Sequence, residues 1–550
     1  MLDTASQPDV AASAPRRRRD EFLLPAALLV AYAVLLLWNL SVPQPVDHSR
    51  YMDAARSFPS RPADPIFNHQ YLRIGLTAPT AVVMRFFGYS EVTYHAFPVA
   101  AALLLFASVY AIGRMLFGRL VGGVSAVVLA CIGIVVVAGT ELLPDLPATA
   151  LFTAAVALAV AVRHRLLARR RLWLVVIGVL MGWSYLVREF IVFVWPLVPV
   201  LLWRRIGRWD TLWAFVPVAL TGVGETVFNA WLYHDPLARL HAGSGLGDLP
   251  SRPEVAKTFH NLPLWVYLWR LPQQLAILPE GPGLLLLLAL TLGAGALCAV
   301  RLVRAWTRRG HTPSERPADG EPAERESVST DGGPVGGPYV RRAGVFALWI
   351  AMLWVPLTLL GGVLDPAHPK LRLQLLRYWY PLFPAFVLGG VAVLWLLARA
   401  VRLPERVRSA APAVVVCCVG LAVTGLSVLG LPGKPGWAGS PRVSSDALPE
   451  FRAWLTRSGA RTVWTDTKLY RIIPIYFVSP TGHRVWRGHL RPLTGAGQPA
   501  AGDYVVAYSV GSDACPRCGD AARLALPGIP STWHQVLTSH DHLLHVWQVG

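Results

Sequence analysis

The chain has 550 residues, 54% of them hydrophobic and 15% charged, with a formal net charge of +19. So low a charged fraction excludes an ordinary soluble domain, and apolar runs close to the ~20 residues a helix needs to cross hydrocarbon recur along its length. The basic excess does not call for a nucleic-acid partner. Its arginines gather in short loops between apolar runs, as cytoplasmic loops of membrane proteins do.

In chain order, residues 1–21 read as a cytoplasmic tail carrying Arg16–Arg19. The run Phe22–Leu40 is too long for a signal-peptide core and lacks a small-residue cleavage site after it, so it reads as a retained first helix. Further spans are expected at Val92–Leu116, Leu120–Ala138, Asp145–Val162, Leu172–Leu186, Phe190–Trp203, Leu212–Trp231, Leu284–Val303, Val345–Leu364, Tyr378–Ala398 and Ala411–Leu431. That makes about eleven transmembrane helices within residues 22–432. The Arg-rich loops Arg114–Arg119, Arg163–Arg171, Arg204–Arg208, Arg301–Arg342 and Arg399–Arg408 all fall on the side of Arg16–Arg19. The positive-inside rule therefore places the N-terminus in the cytoplasm and the C-terminus outside, in a multi-pass cell-membrane protein.

The first outer loop, residues 41–91, holds two helix-like pieces. Asp47–Ser57 is polar, and Tyr71–Phe87 is amphipathic with an expected break at Pro79. Such pieces suit helices lying in the membrane interface. The outer loop Tyr233–Pro279 carries Trp265, Tyr267 and Trp269 as interfacial anchors. Residues 310–338, rich in Pro, Gly, Ser and Glu, read as a disordered cytoplasmic linker. Residues 433–550 are less apolar and read as a small extracytoplasmic α/β domain. A helix is expected at Asp446–Ser458, with strands at Arg461–Trp464, Ile472–Val478, Tyr504–Ser509 and His545–Val549.

Candidate chemistry collects at the outer ends of the spans. Asp47 lies at the membrane edge, where an ionisable group is costly unless it functions or meets solvent; an N-cap for the following helix is the plainer reading. Asp145 follows Pro144, with Glu141 shortly before it, and either capping or support of Asp47 would account for them. Arg50, Arg73, Arg188, Lys370, Arg372 and Arg377 are outer cations that the positive-inside rule does not explain. Planar guanidinium groups suit bidentate phosphate binding, although Arg188 has Glu189 beside it to neutralise it. Tyr51, His69, Tyr378 and Tyr380 are candidates to line the pocket. His48, His69 and His95 are spread too widely for metal-ligand spacing, and no metal or other cofactor is expected. Cys515 and Cys518 form a CxxC outside the membrane, read foremost as a local disulfide. Half a zinc site with His540, His542 and His545, a redox pair and free thiols remain alternatives.

With these strings in place, the chain resembles the GT-C glycosyltransferases, specifically the glycosyltransferase family 39 group of protein O-mannosyltransferases and lipid A aminoarabinose transferases. The likeness rests on Asp47 and Tyr51 followed by Ala54-Ala55-Arg56, on the amphipathic segment ending Phe87-Gly88, and on Gly113-Arg114-Met115-Leu116-Phe117-Gly118. Pro144-Asp145 and the RYWYPLFP string from Arg377 to Pro384 complete it. It covers the chain to about residue 205 and again around residues 377–400. The resemblance implies a sugar donor on a polyprenyl-phosphate carrier and a lipid, glycan or protein hydroxyl as acceptor. It further implies Asp47 as general base, with inversion at the anomeric carbon. Many family members carry Asp-Glu where this chain has Asp47-His48, which leaves the acceptor open. From residue chemistry, desolvation at the membrane edge is expected to raise the Asp47 pKa. Two other readings compete. A transporter or lipid flippase would show mid-span charges, of which Glu225 is the clearest, and an internal repeat. A non-catalytic scaffold would not need Asp47, Asp145 and the outer arginines to converge.

Overall fold

The computed structural model describes residues 14–41, 43, 47–60, 69–203, 206–245, 268–309, 338–360, 375–401, 404, 409–437, 447–467, 469–493, 497–508 and 520–550. The expectations for the 310–337 linker and for Lys370, Arg372, Trp265, Tyr267, Cys515 and Cys518 lie outside these residues.

The first half of the chain forms α1 (Ala14–Trp38), α2 (Asp47–Arg56), α3 (Ile74–Phe87), α4 (Glu91–Phe117), α5 (Arg119–Cys131), α6 (Gly133–Ala138), α7 (Asp145–Arg163) and α8 (Arg170–Val187). A 3-10 turn (Glu189–Val194), α9 (Leu197–Leu202), α10 (Arg208–Tyr233), α11 (Ala238–Gly245) and α12 (Arg270–Ile277) follow. The later membrane helices are α13 (Gly281–Arg309), α14 (Pro338–Leu360), α15 (Phe383–Ala400), entered through a 3-10 turn (Leu376–Leu382), and α16 (Ala411–Leu429). Among the described residues, 8 helices are long and apolar enough to cross a membrane. Each expected span has helix over most of its described residues, although the last ends in β1 at Gly430–Leu431. The third breaks at Ile132 into α5 and α6, and the sixth is a 3-10 turn joined to short α9.

The post of the bundle is α7. Its membrane window is 94% buried, against 11% for α10. Ala148, Ala150, Ala154, Ala155 and Ala159 make this possible, because small side chains let α4 and α8 approach closely. The N-terminal residue of this post is Asp145, so this most enclosed of the candidate spans also presents an acid at its N-terminal end.

Pro79 does not break α3, contrary to the sequence expectation. A proline removes the N–H that would bond the carbonyl four residues back. That carbonyl, Gly75 O, instead accepts a hydrogen bond from Trp183 Nε1 at 2.9 Å. Gly75 is needed for the contact: a Cβ there would stand 2.7 Å from the backbone of Leu186 and Val187.

The C-terminal unit has α17 (Ala447–Ser458) and, after the two-residue strands β1 (Gly430–Leu431) and β2 (Lys434–Pro435), the strands β3 (Thr462–Thr465), β4 (His489–Pro492), β5 (Tyr504–Tyr508), β6 (Trp533–Thr538) and β7 (Leu544–Val549). The larger sheet runs β4-β3-β5-β7-β6, parallel across β4-β3-β5 and antiparallel across β5-β7-β6. The strand expected at Ile472–Val478 is instead a helical turn at Leu469–Ile472 followed by a 3-10 turn at Ile473–Phe477. Pro474 cannot donate to a sheet ladder. Ile472, Ile473, Ile475, Tyr476 and Phe477 are buried without alternation, unlike a half-buried strand.

This unit has no separate underside. Phe451, Ile472 and Tyr476 share one apolar cluster with Tyr51, Met52, Tyr94 and Leu142 of the first outer loop and its neighbours. Tyr476 donates to Pro43 O at 3.0 Å, Val92 N to Pro480 O at 3.2 Å, and Arg452 pairs with Glu91. The sheet domain and the outer loop are thus one packed body above the bundle.

Candidate active site

Three short segments meet over the N-terminal end of α7. They are the start of α2 with Asp47, the stretch His69–Arg73 leading into α3, and the 3-10 turn carrying Arg377 and Tyr378. Asp47 sits in the first turn of α2, where an acid is also favoured by the helix dipole. Its Oδ2 accepts from Arg377 Nη2 at 3.1 Å and its Oδ1 from Gln70 Nε2 at 3.2 Å. Arg377 Nε also lies 3.8 Å from Asp145 Oδ2, and Arg188 Nε lies 3.1 Å from Asp145 Oδ1. Four groups predicted from sequence, Asp47, Asp145, Arg188 and Arg377, are therefore one alternating chain of charges. The ring of Tyr378 separates the two guanidinium groups, 5.0 Å from Arg188 and 5.8 Å from Arg377.

A second chain lies beside it. Arg73 donates to the Tyr51 hydroxyl and reaches Glu189 Oε1 at 3.4 Å. Arg239 of α11 contacts Glu189 Oε2 at 3.2 Å, Glu225 Oε1 at 2.7 Å and the Tyr185 carbonyl at 2.7 Å. Burial pushes the Tyr51 phenol up to about 12, so it remains protonated. Glu189 lies within electrostatic reach of Arg188, as expected, but the close contact of Arg188 is with Asp145. Arg188 is in extended backbone (φ −149, ψ 120) at the end of α8, and consecutive residues there face different ways. Glu189 makes its direct contacts with Arg73 and Arg239, and Arg188 makes its own with Asp145.

Glu141 is buried against His48 (3.8 Å), whose other ring nitrogen meets the Tyr94 hydroxyl at 2.8 Å. It therefore braces the residue after Asp47 and stands apart from the arginine chain. Tyr380 is directed to the Ile134 carbonyl of α6 at 3.3 Å. Arg50 is half-buried on α2. His69 lies within electrostatic reach of Asp47, and burial together with Arg73 holds its imidazole well below the usual histidine range. Its Nδ1 has no hydrogen-bond partner. Gln70, Arg239 and Tyr94 escaped the sequence reading, and Glu189 entered it only as a neighbour of Arg188. Only Gln70 left a signal, its place beside His69 in a polar run.

The electrostatics of Asp47 reverse the expectation. Burial does oppose its ionisation, but nearby cations, Arg377 foremost, outweigh it and hold its carboxyl well below the usual carboxylate range. Exposure then divides the cluster. Side chains are 30% exposed at Asp47 and 22% at Arg377, against 2% at Asp145 and 8% at both Arg188 and Arg73. Within the Asp47–Asp145 chain the accessible face is the Asp47–Arg377 pair, backed by buried Asp145 and Arg188; in the second chain Glu189 is as accessible, at 32%. Among the described residues, no group of three or more His, Cys, Asp or Glu is arranged to hold a metal ion.

Fold and site together define a multi-pass membrane protein with an ionic site at one edge of its bundle. Residues 78–234 match the family model described as dolichyl-phosphate-mannose-protein mannosyltransferase. That stretch, less than half of the chain, is similar to this mannosyltransferase family. Among solved structures, ArnT from Cupriavidus metallidurans in the apo state aligns with 15% identity and a TM-score of 0.49, over 96% of this chain and 98% of that one. The same protein bound to undecaprenyl phosphate aligns with 14% identity and a TM-score of 0.47, over the same shares. The oligosaccharyltransferase AglB from Archaeoglobus fulgidus, in complex with an inhibitory peptide and a dolichol-phosphate, aligns with 12% identity and a TM-score of 0.39, over 85% of this chain and 65% of that one. No curated protein sequence matches the chain.

Proposed function

We propose that the protein moves a sugar from a polyprenyl-phosphate carrier to a hydroxyl acceptor at the outer face of the membrane, with Asp47 as general base. The observation that carries this reading is the accessible Asp47–Arg377 pair: a carboxylate and a guanidinium side by side, backed by Asp145 and Arg188. The donor class follows the family that residues 78–234 match. In the reaction, Asp47 takes the proton of the acceptor hydroxyl as that oxygen attacks the anomeric carbon. The bond from that carbon to the phosphate oxygen breaks, and its electron pair leaves with polyprenyl phosphate. Attack opposite the leaving group inverts the anomeric centre. Arg377 neutralises the charge that develops on the leaving phosphate, which is work a divalent cation does elsewhere, so the reaction runs without one. The N-terminus is cytoplasmic and residues 433–550 are extracytoplasmic. The site opens on that outer side, with the α/β domain beside it to receive the acceptor, a lipid, glycan or protein. Tyr51, His69 and Tyr378 line the pocket.

Glu225, the acid that would have suited a transport path, is instead buried and paired with Arg239. The test is transfer from synthetic polyprenyl-phosphate sugars by purified protein, beside Asp47→Asn. Donor consumption in the wild type and its loss in the folded variant are expected. Consumption that persists in Asp47→Asn refutes the base assignment, and failure of a whole panel of carriers refutes the donor class.

A further inference from the structure

The resting site presents a contradiction if Asp47 is a base. Both of its carboxylate oxygens are occupied, Oδ1 by Gln70 and Oδ2 by Arg377. Each oxygen keeps a lone pair, but a carboxylate paired with a guanidinium holds protons poorly, so the resting Asp47 is a weak base. The two partners differ, however. Gln70 is fully buried and neutral, whereas Arg377 is charged, partly exposed and shared with a second acid.

Resting on the donor class proposed above, we infer that Arg377 is a donor-operated latch. It holds Asp47 in the empty site and is drawn away by the carrier's phosphate, so that donor binds before an acceptor hydroxyl can be deprotonated.

The arrangement is asymmetric in the way a latch requires. A phosphate offers a guanidinium two oxygens in the fork geometry it prefers, and Arg377 is the most exposed guanidinium of the Asp47–Asp145 chain, at 22% against 8% for Arg188. Once Arg377 turns to phosphate, Asp145 is not stranded, because Arg188 remains 3.1 Å from it. Asp47 keeps only the amide of Gln70, which fixes its orientation at Oδ1 and leaves Oδ2 open. Buried charges resist such an exchange when one partner would be left unpaired; here the buried acid, Asp145, keeps Arg188, and the acid that loses its cation, Asp47, is the partly exposed one. The other groups facing Asp47 stay in place. His48 is held by Tyr94 and Glu141, Arg73 by Tyr51 and Glu189, and Arg188 by Asp145; His69 lies alongside, and Tyr378 is wedged between the arginines. The incoming phosphate also replaces a neighbouring cation with an ion pair of no net attraction for the Asp47 carboxylate. Its proton affinity therefore rises as the donor arrives.

The test uses the full-length protein in detergent and a long-chain polyprenyl monophosphate without sugar as probe. Infrared difference spectra across pH follow the protonated carboxyl band, assigned to Asp47 by its loss in Asp47→Asn, and carrier retention is measured in parallel with radiolabelled lipid. Carrier is expected to raise the Asp47 midpoint by at least about one pH unit, a tenfold gain in proton affinity. In Arg377→Gln the midpoint should already be raised without carrier and move no further, while Arg377→Lys, keeping the charge, should restore part of the response. Carrier that binds the wild type without moving the midpoint overturns the latch and leaves the donor class standing. Carrier that is not retained at all overturns the donor class, and the latch with it.

Discussion

Asp47–Arg377 and Asp145–Arg188 are the same chemical pair at the same edge of the bundle, with closest N–O separations of 3.1 Å in each. They differ in what surrounds them. Asp145 begins the most enclosed helix of the protein, and Arg188 is walled by Phe190 and Tyr378. Asp47 begins a short helix in a loop, and its partner comes from a 3-10 turn at the start of another membrane segment. A pair that is sealed on all sides is a structural joint, whereas one that is open to solvent can exchange partners with a ligand. The contrast predicts that equivalent substitutions will register in different measurements.

The largest effect on turnover is expected at Asp47. Removing a general base costs on the order of a hundredfold to ten-thousandfold, so Asp47→Asn should nearly abolish transfer while lowering the thermal midpoint in detergent less than Asp145→Ala does. Asp145→Ala should act mainly on stability, because it leaves Arg188 charged and unpaired in a buried place. Breaking such a pair costs about 3–5 kcal/mol, readable as a lowered midpoint of thermal unfolding. If both variants lose activity at unchanged stability, the division into joint and reactive pair is wrong. Gln70→Leu comes next. Losing a hydrogen bond to a charged group is worth about 1.5–3 kcal/mol, expected as a drop in kcat of roughly tenfold or more at similar donor retention. A merely structural Gln70 would instead lower stability and leave the kcat of the folded fraction intact. Smaller still is the acid limb of stability. Asp47 has a folded-state pKa below its unfolded value, so its contribution is fully present above about 3.9 and is lost as pH falls toward the lower, folded value. Asp47→Asn should therefore lose less stability than wild type on acidification from about pH 5 to pH 3. Chelator should leave transfer unchanged; a chelator-sensitive rate restored by a divalent cation would show that the arginines are not sufficient.

Individual residues show how far the site was legible. Asp47, Asp145, Arg188 and Arg377 stood out because charges at the ends of apolar runs need a reason, and that need is visible in one dimension. Their pairing was not. Arg188 has an acid as its immediate neighbour and yet serves another helix, and Arg239 reaches the site from a loop helix more than a hundred residues after α2. Gln70 carries no charge and so drew no notice, although it holds one oxygen of Asp47. Glu141 was grouped with Asp145 because the two are close in sequence, and the fold turned it toward His48 instead.

Hydropathy by itself determined the membrane spans and their order, since the cost of placing a backbone segment in hydrocarbon depends on that segment's own length and side chains. The preference of acids for the first turn of α2 and α7 was equally local, although Pro144 and not Asp145 is the N-cap of α7. Only the tertiary structure decided that Pro79 could stay inside α3, because Trp183 of another helix satisfies the carbonyl it orphans. It likewise decided that Ile472–Phe477, apolar enough for a strand, would be buried as a 3-10 turn beneath α17 and the first outer loop. The depression of the Asp47 pKa belongs with these. Desolvation follows from position at the membrane edge, but the sign of the net shift depends on which cations fold in around it, and Arg377 arrives from 330 residues away.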